Sequence, residues 1–227
     1  MIPTNWTLLE DAEAVAIEAR DRILAAASEA IHNRGRFRLV VAGGRTPEQT
    51  YNLLAEAESQ WERWELYFGD ERCLPADHPE RNSVLVERTL GRRVPIPPHQ
   101  IHPMEAELGP GEAAVRYSEI VTDALPFDLV LLGMGEDGHT ASLFPGHPSP
   151  DGQLVCAVHD APKPPPERVS LTPNALKNSR NILFLITGET KRNAITAWLG
   201  GIQLPASQIA AEGKHEVLID RAAAPYP

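Results

Sequence analysis

Apolar residues recur at Leu8, Ala12, Val15, Ala19, Ile23, Ala26 and Ala30. These steps of three and four trace one face of an amphipathic helix over residues 8–31. Thr7 with Glu10 fits a capping box at its start, and Gly35 follows its end. The pattern then changes to short apolar runs. Residues 37–41 (FRLVV), 64–68 (WELYF), 127–133 (FDLVLLG), 181–187 (NILFLIT) and 216–220 (EVLID) read as buried strands, with 154–158 and 168–172 as short strand candidates. Helical stretches lie between them. One starts at Thr46 as N-cap, with Pro47 at its first position and Gln49 at its third. Others cover residues 112–124 and 189–200. Apolar runs alternating with helices predict an α/β fold: a single-domain, Rossmann-like, mostly parallel sheet with helices on both faces. The proline-rich segment 161–169 (APKPPPERV) reads as a stiff surface connection, because strand signals resume on both sides of it.

Four polar stretches each follow a strong strand: AGGRTP after Val41, GDERC after Phe68, GMGEDGHT after Leu132 and TGETK after Ile186. In an open α/β sheet, ligands bind outside the carboxyl ends of the strands. Four such stretches carrying Arg, Asp, Glu, His and Lys therefore predict one shared site.

Gly133, Gly135 and Gly138 have the spacing of a dinucleotide fingerprint. That fingerprint must open a long helix, yet Pro145, Pro148 and Pro150 follow within twelve residues of Gly138. Glu136 and Asp137 would also repel a pyrophosphate. The glycines instead suit a tight loop that presents Asp137 and His139 at the strand end, where a general base belongs. Ser142 lacks the G-x-S-x-G elbow of a serine hydrolase. Gly43 and Gly44 let backbone approach a ligand, and Thr46 caps a helix whose free N–H groups suit an anion, although no P-loop is present.

Composition sharpens this picture. The chain has 227 residues and a formal net charge of −10, which argues against a general nucleic-acid binder. Basic residues gathered at strand ends in so acidic a chain, namely Arg72, Lys191 and Arg168, point to a phosphate or carboxylate ligand. Cys73 and Cys156 form no C-x-x-C motif, and no histidine spacing suggests a metal. The chain opens on no secretory signal, and no apolar run approaches the ~20 residues of a membrane helix. The expectation is a cytoplasmic protein with two free thiols, no membrane association and no obligate protein partner.

The stretches VVAGGRTPEQTY, YFGDERCLP…HPERNS, GMGEDGHTASLFPG, ERVSLTP and ITGETKRNAI, taken together, resemble the 6-phosphogluconolactonase family, in the family's order from about residue 37 to residue 195. The resemblance implies a single sugar-phosphate lactonase domain over residues 1–227. It implies hydrolysis of 6-phospho-D-glucono-1,5-lactone to 6-phospho-D-gluconate, the second step of the oxidative pentose phosphate pathway, with no metal and no organic cofactor. His139 matches the general base, and Asp137 its support. The Asp137 carboxylate is expected to raise the imidazole pKa. Gly43, Gly44, Arg45 and Thr46, with Arg72 and Lys191, match the phosphate site. Arg168 matches the arginine of R-[IV]-[ST]-L-T, near the phosphate or the ring. Asp70 and Glu71 match a D-E pair whose roles stay open beyond holding Arg72. Arg45 departs from a common small Ser, which leaves open whether its side chain or only its backbone meets phosphate. Related glucosamine-6-phosphate deaminases share the D-G-H loop but carry a glutamate where this chain has Phe144, and an aromatic residue where it has Arg72. A non-catalytic sugar-phosphate sensor would be expected to lose His139.

Overall fold

The computed structural model describes residues 2–148, 150–210 and 214–225. The chain runs β1 (Trp6–Leu9), α1 (Ala12–Arg34), β2 (Phe37–Val41), α2 (Arg45–Leu54), β3 (Trp64–Phe68), β4 (Asp70–Arg72), α3 (Asn82–Val86), β5 (Ile101–His102) and α4 (Pro110–Ala124). It continues through β6 (Phe127–Leu132), β7 (Val155–Val158), β8 (Arg168–Leu171), α5 (Pro173–Lys177), β9 (Ser179–Ile186), α6 (Arg192–Leu199), α7 (Pro205–Ala210) and β10 (His215–Asp220).

Among the described residues seven strands form one sheet in the order β1-β10-β9-β6-β2-β3-β5, and every neighbouring pair is parallel. All six residues of β6 are buried, as expected for a central strand covered on both faces. Going from β1 through α1 to β2, and from β2 through α2 to β3, the chain moves one way across the sheet. From β5 through α4 to β6, then to β9 and β10, it moves the other way. Right-handed crossovers therefore put α1 and α2 on one face and α4 to α7 on the other. In keeping with this, α1 packs on α2, and α5 packs on α7.

Several local expectations need correcting. Residues 6–9 are an edge strand beside β10, with Trp6 opposite Val217, and not the start of a helix. The helix begins later, and its cap is Asp11, whose Oδ1 accepts from Ala14 N at 2.9 Å, so Thr7 and Glu10 form no capping box. The α2 cap is Gly44. Thr46 lies inside the first turn and its hydroxyl meets Thr187 Oγ1 at 2.6 Å. The short candidates at 154–158 and 168–172 do become strands, but in a second, antiparallel sheet ordered β4-β8-β7. The proline-rich segment is the tight connection between β7 and β8, turned back onto Arg168.

Candidate functional site

The sheet changes direction between β2 and β6, which lie side by side. At such a switch point the two following connections leave on opposite faces and open a crevice beyond the strand ends. Residues 42–46 follow β2 and residues 133–140 follow β6, so these two stretches flank the crevice. Residues 69–72 and 187–191 extend from the next strands on each side.

The loop after β6 is held from within. Gly135 N donates to the His139 carbonyl at 2.8 Å, and Thr140 Oγ1 donates to the Gly133 carbonyl at 2.7 Å. His139 Nδ1 lies 2.5 Å from Asp137 Oδ1. A carboxylate partner makes Nδ1 the N–H side and leaves Nε2 with a free lone pair. A Cβ on residue 135 would stand 2.0 Å from His139 Nδ1, so the imidazole occupies the space that only glycine leaves. Phe144, itself buried, packs against the imidazole with ring centroids 4.7 Å apart. Burial pulls the His139 pKa below its ordinary value. The bond and charge of Asp137 oppose this, Lys163 adds to the lowering, and Asp70 opposes it. The expected rise is therefore overturned, because the sequence shows Asp137 but not the burial. For Asp137, burial pushes the carboxyl up, but its bonds and charge contact with His139 outweigh that and hold it below its ordinary value. The pair that follows is a carboxylate orienting a neutral imidazole.

The D-E pair has a structural reading. Glu71 is fully buried and its carboxylate accepts from the backbone N–H groups of Arg72, Asn82 and Ser83, each at 2.8 Å. Arg81 lies beside it at 3.4 Å. Glu71 thus fixes the start of α3 against β4 and is committed to that task. Asp70 accepts from Asn82 Nδ2 at 3.1 Å and from Ser142 Oγ at 2.5 Å, which ties β4 to the His139 loop. Asn82 in turn fills the space beside Gly43, where a Cβ would stand 1.9 Å from its Oδ1.

Arg72, Arg168 and Lys191 bring positive charge to these loops. Arg72 and Arg168 are directly paired across β4 and β8, an arrangement in which like charges destabilise a sheet. Arg72 Nη1 donates to the Glu80 carbonyl, while its buried Nε has no partner among the described residues. Burial lowers the Arg168 pKa, Asp70 opposes that shift and Arg72 adds to it. For Lys191, burial is again the main lowering cause, Glu136 and Asp137 oppose it, and Lys163 adds to it. Lys191 follows Gly188, whose N–H is held at 3.0 Å by the buried Asp220. Arg45 is exposed at the first position of α2. Of the residues expected at the site, His139, Asp137, Asp70, Arg168, Arg72 and Lys191 interact in this chain of contacts and charges. Residues 43–46 join it through Asn82 and Thr187.

Sequence reasoning misses Asn82, Lys163 and Thr187, and it weighs Ser142 only as a nucleophile. Asn82 and Ser142 lie within conspicuous stretches, but only the fold shows their partners. Among the described residues no group of three or more His, Cys, Asp and Glu could hold a metal ion. A groove of about 780 Å³ at the amino ends of β2, β3 and β5 is also rich in arginine, but Arg34 and Arg38 there are paired with Asp128 and Glu65.

Residues 10–219 match the family described as glucosamine-6-phosphate isomerases/6-phosphogluconolactonase. A 6-phosphogluconolactonase of Streptomyces coelicolor is 37% identical, the match covering 94% of this chain and 91% of the relative. One from Mycobacterium tuberculosis is 35% identical over 96% of each chain. The crystal structure of a 6-phosphogluconolactonase from Thermotoga maritima superposes with a TM-score of 0.88 at 32% identity, covering 95% of this chain and 99% of that one.

Proposed function

The chain belongs to the glucosamine-6-phosphate isomerase/6-phosphogluconolactonase family, and we infer that it hydrolyses 6-phospho-D-glucono-1,5-lactone to 6-phospho-D-gluconate. The observation that carries the residue assignment is the short Asp137–His139 bond at the switch point, beside Arg72 and Arg168, which are paired across β4 and β8. Asp137 holds the Nδ1 proton, and Nε2 takes a proton from water as the water oxygen adds to the lactone carbonyl carbon. The tetrahedral intermediate then expels the ring oxygen. The imidazolium returns its proton to that oxygen, giving a carboxylic acid, which ionises, and a free hydroxyl. Arg72, Lys191 and the amino end of α2, with Gly43, Gly44, Arg45 and Thr46, hold the phosphate. Arg168 lies near the phosphate or the ring. Asp70 and Glu71 keep these groups in place.

Phe144 favours this reaction over deamination. In sequence it stands where the deaminases carry a glutamate, and its ring, buried against His139, offers no carboxylate for ring opening. One lactonase domain spanning residues 1–227, a cytoplasmic site of action, and no nucleic-acid or obligate protein partner belong to the same proposal. The match over residues 10–219, the two free cysteines and the net charge of −10 support it. No described helix is long and apolar enough to cross a membrane. The test is an assay of purified protein on fresh lactone, coupled to 6-phosphogluconate dehydrogenase and corrected for spontaneous hydrolysis, with glucosamine 6-phosphate in parallel. Hydrolysis above the blank without ammonia release is expected. Ammonia release without lactone hydrolysis would overturn the proposal.

A further inference from the structure

We propose that Lys163 is a further catalytic residue, whose ammonium group stabilises the oxyanion that forms on the lactone carbonyl when water adds. The proposal rests on the reading of His139 as the base. Water addition moves an electron pair onto the carbonyl oxygen, and ring-oxygen expulsion returns it. A fixed positive group near that oxygen lowers the barrier to both steps.

Three observations support this role. First, residues 159–167 fold back on the site. Ala161 N donates to the Pro166 carbonyl at 3.0 Å, closing the neck of the connection. The buried Arg168 donates to the carbonyls of Lys163 at 3.0 Å, Pro164 at 3.2 Å and Pro165 at 3.0 Å. The same guanidinium lies 5.7 Å from the centre of the Phe144 ring, which packs on His139. One side chain thus links the Lys163 backbone to the wall behind the base. Second, the Lys163 side chain is half-buried yet makes no hydrogen bond or ion pair among the described residues. Its ammonium is therefore available to an anionic ligand.

Third, the charges divide the labour. The groups around His139 are Asp137 and Glu136 on its own loop, Asp70 on β4, Lys163 and Arg168 from the β7–β8 side, and Lys191 after β9. Of the cations, Lys163 is the one whose charge acts on His139, and it also acts on Lys191. Its charge thus reaches both the base and Lys191, and the proposal gives it the carbonyl end, with Arg72 and Lys191 left for the phosphate. Its charge also helps keep the imidazole neutral and so able to accept a proton.

The experiment compares wild type, Lys163→Met and Lys163→Arg in kcat, KM and the pH profile of kcat/KM on the phosphorylated lactone, with thermal unfolding to establish that each is folded. Methionine keeps an unbranched stem without the charge. The expected loss in kcat is about 10²-fold, the usual size for one oxyanion donor, with KM little changed. The acid limb should move to higher pH, because removing a nearby cation raises the imidazole pKa. Arginine should restore part of kcat and return the limb toward its wild-type position. A raised KM with unchanged kcat would make Lys163 a phosphate ligand only and overturn the proposal. Unchanged kcat, KM and limb would make it a surface residue and would equally overturn the proposal. If Lys163→Met does not fold, Lys163→Gln takes its place as the uncharged variant, and a folded Lys163→Gln with wild-type kcat and an unmoved limb would overturn the proposal too. A wild type with no acid limb would overturn the His139 reading first, and this proposal with it.

Discussion

Gly135→Ala tests whether the catalytic geometry depends on space that only glycine provides. Gly135 does not occupy the left-handed backbone region, so alanine suits its backbone and the hydrogen bond from Gly135 N to the His139 carbonyl can persist. The new methyl group has no room. Its carbon would stand 2.0 Å from His139 Nδ1, 2.1 Å from Cε1 and 2.6 Å from Asp137 Oδ1. Ordinary contact begins at 3.4 Å, so the imidazole must retreat by more than an ångström and leave the carboxylate that orients it. A misplacement of about 1 Å costs roughly 10²-fold in rate, or about 2.7 kcal/mol of barrier. The phosphate ligands lie on other loops, so KM should change little. A stability change of about 1 kcal/mol would move the melting temperature by roughly 2–4 °C in a protein of this size. The assay is blank-corrected lactone hydrolysis over a substrate series, alongside thermal unfolding and NMR of the Nδ1 proton. A kcat close to wild type, with the Nδ1 resonance unmoved, would refute the close-packing argument.

Glu71→Gln should lower stability by about 3–5 kcal/mol, the usual cost of breaking a buried ion pair, because three backbone N–H groups and Arg81 face its carboxylate. Denaturant unfolding measures this, and a change below about 1 kcal/mol would free Glu71 from that structural task and make it a candidate base. Arg72→Ala and Lys191→Ala should each reduce kcat/KM on the phosphorylated lactone by about 10-fold or more, since charge-assisted hydrogen bonds contribute about 1.5–3 kcal/mol. The unphosphorylated lactone should be a poor substrate that neither change affects, and equal use of both lactones by wild type would contradict a phosphate site.

The parts of the fold that are legible in the sequence are those set by burial along the chain itself. Strands β2, β3, β6, β9 and β10 are nearly continuous apolar runs, and parallel strands covered on both faces must read that way. The carboxyl ends of these strands then point to the site without any contact being known. What stays hidden depends on partners distant in sequence. Leu8 falls in step with the helical repeat, so the pattern absorbs β1 into α1; only its pairing with β10 makes it a strand. Asp70–Arg72 contains no apolar residue, and β4 exists because β8 lies beside it. Thr46 has the chemistry of an N-cap, but Gly44 takes that position and frees the hydroxyl for Thr187. The sign of the His139 shift is illegible because Asp137 is two residues away, whereas the burial that outweighs it comes from the folded surroundings. Lys163 gives no signal because a proline run looks like a spacer until the Arg168 bonds fold it inward.

The role proposed for His139, held by Asp137, is that of the base for lactone hydrolysis. It is tested by the pH dependence of kcat/KM for wild type and His139→Asn, each rate being corrected against an enzyme-free blank at the same pH. Burial lowers the His139 pKa, so the neutral form persists to lower pH than for a free imidazole. Wild-type activity should be full above the folded pKa and fall as the imidazole gains a proton, with the midpoint below the ordinary value of about 6.5. His139→Asn should lose about 10²–10⁴-fold in kcat, the usual contribution of a positioned base, and its residual activity should lack the acid limb. A variant that keeps near-wild-type kcat, with the acid limb intact, would contradict the account and move the base to another group.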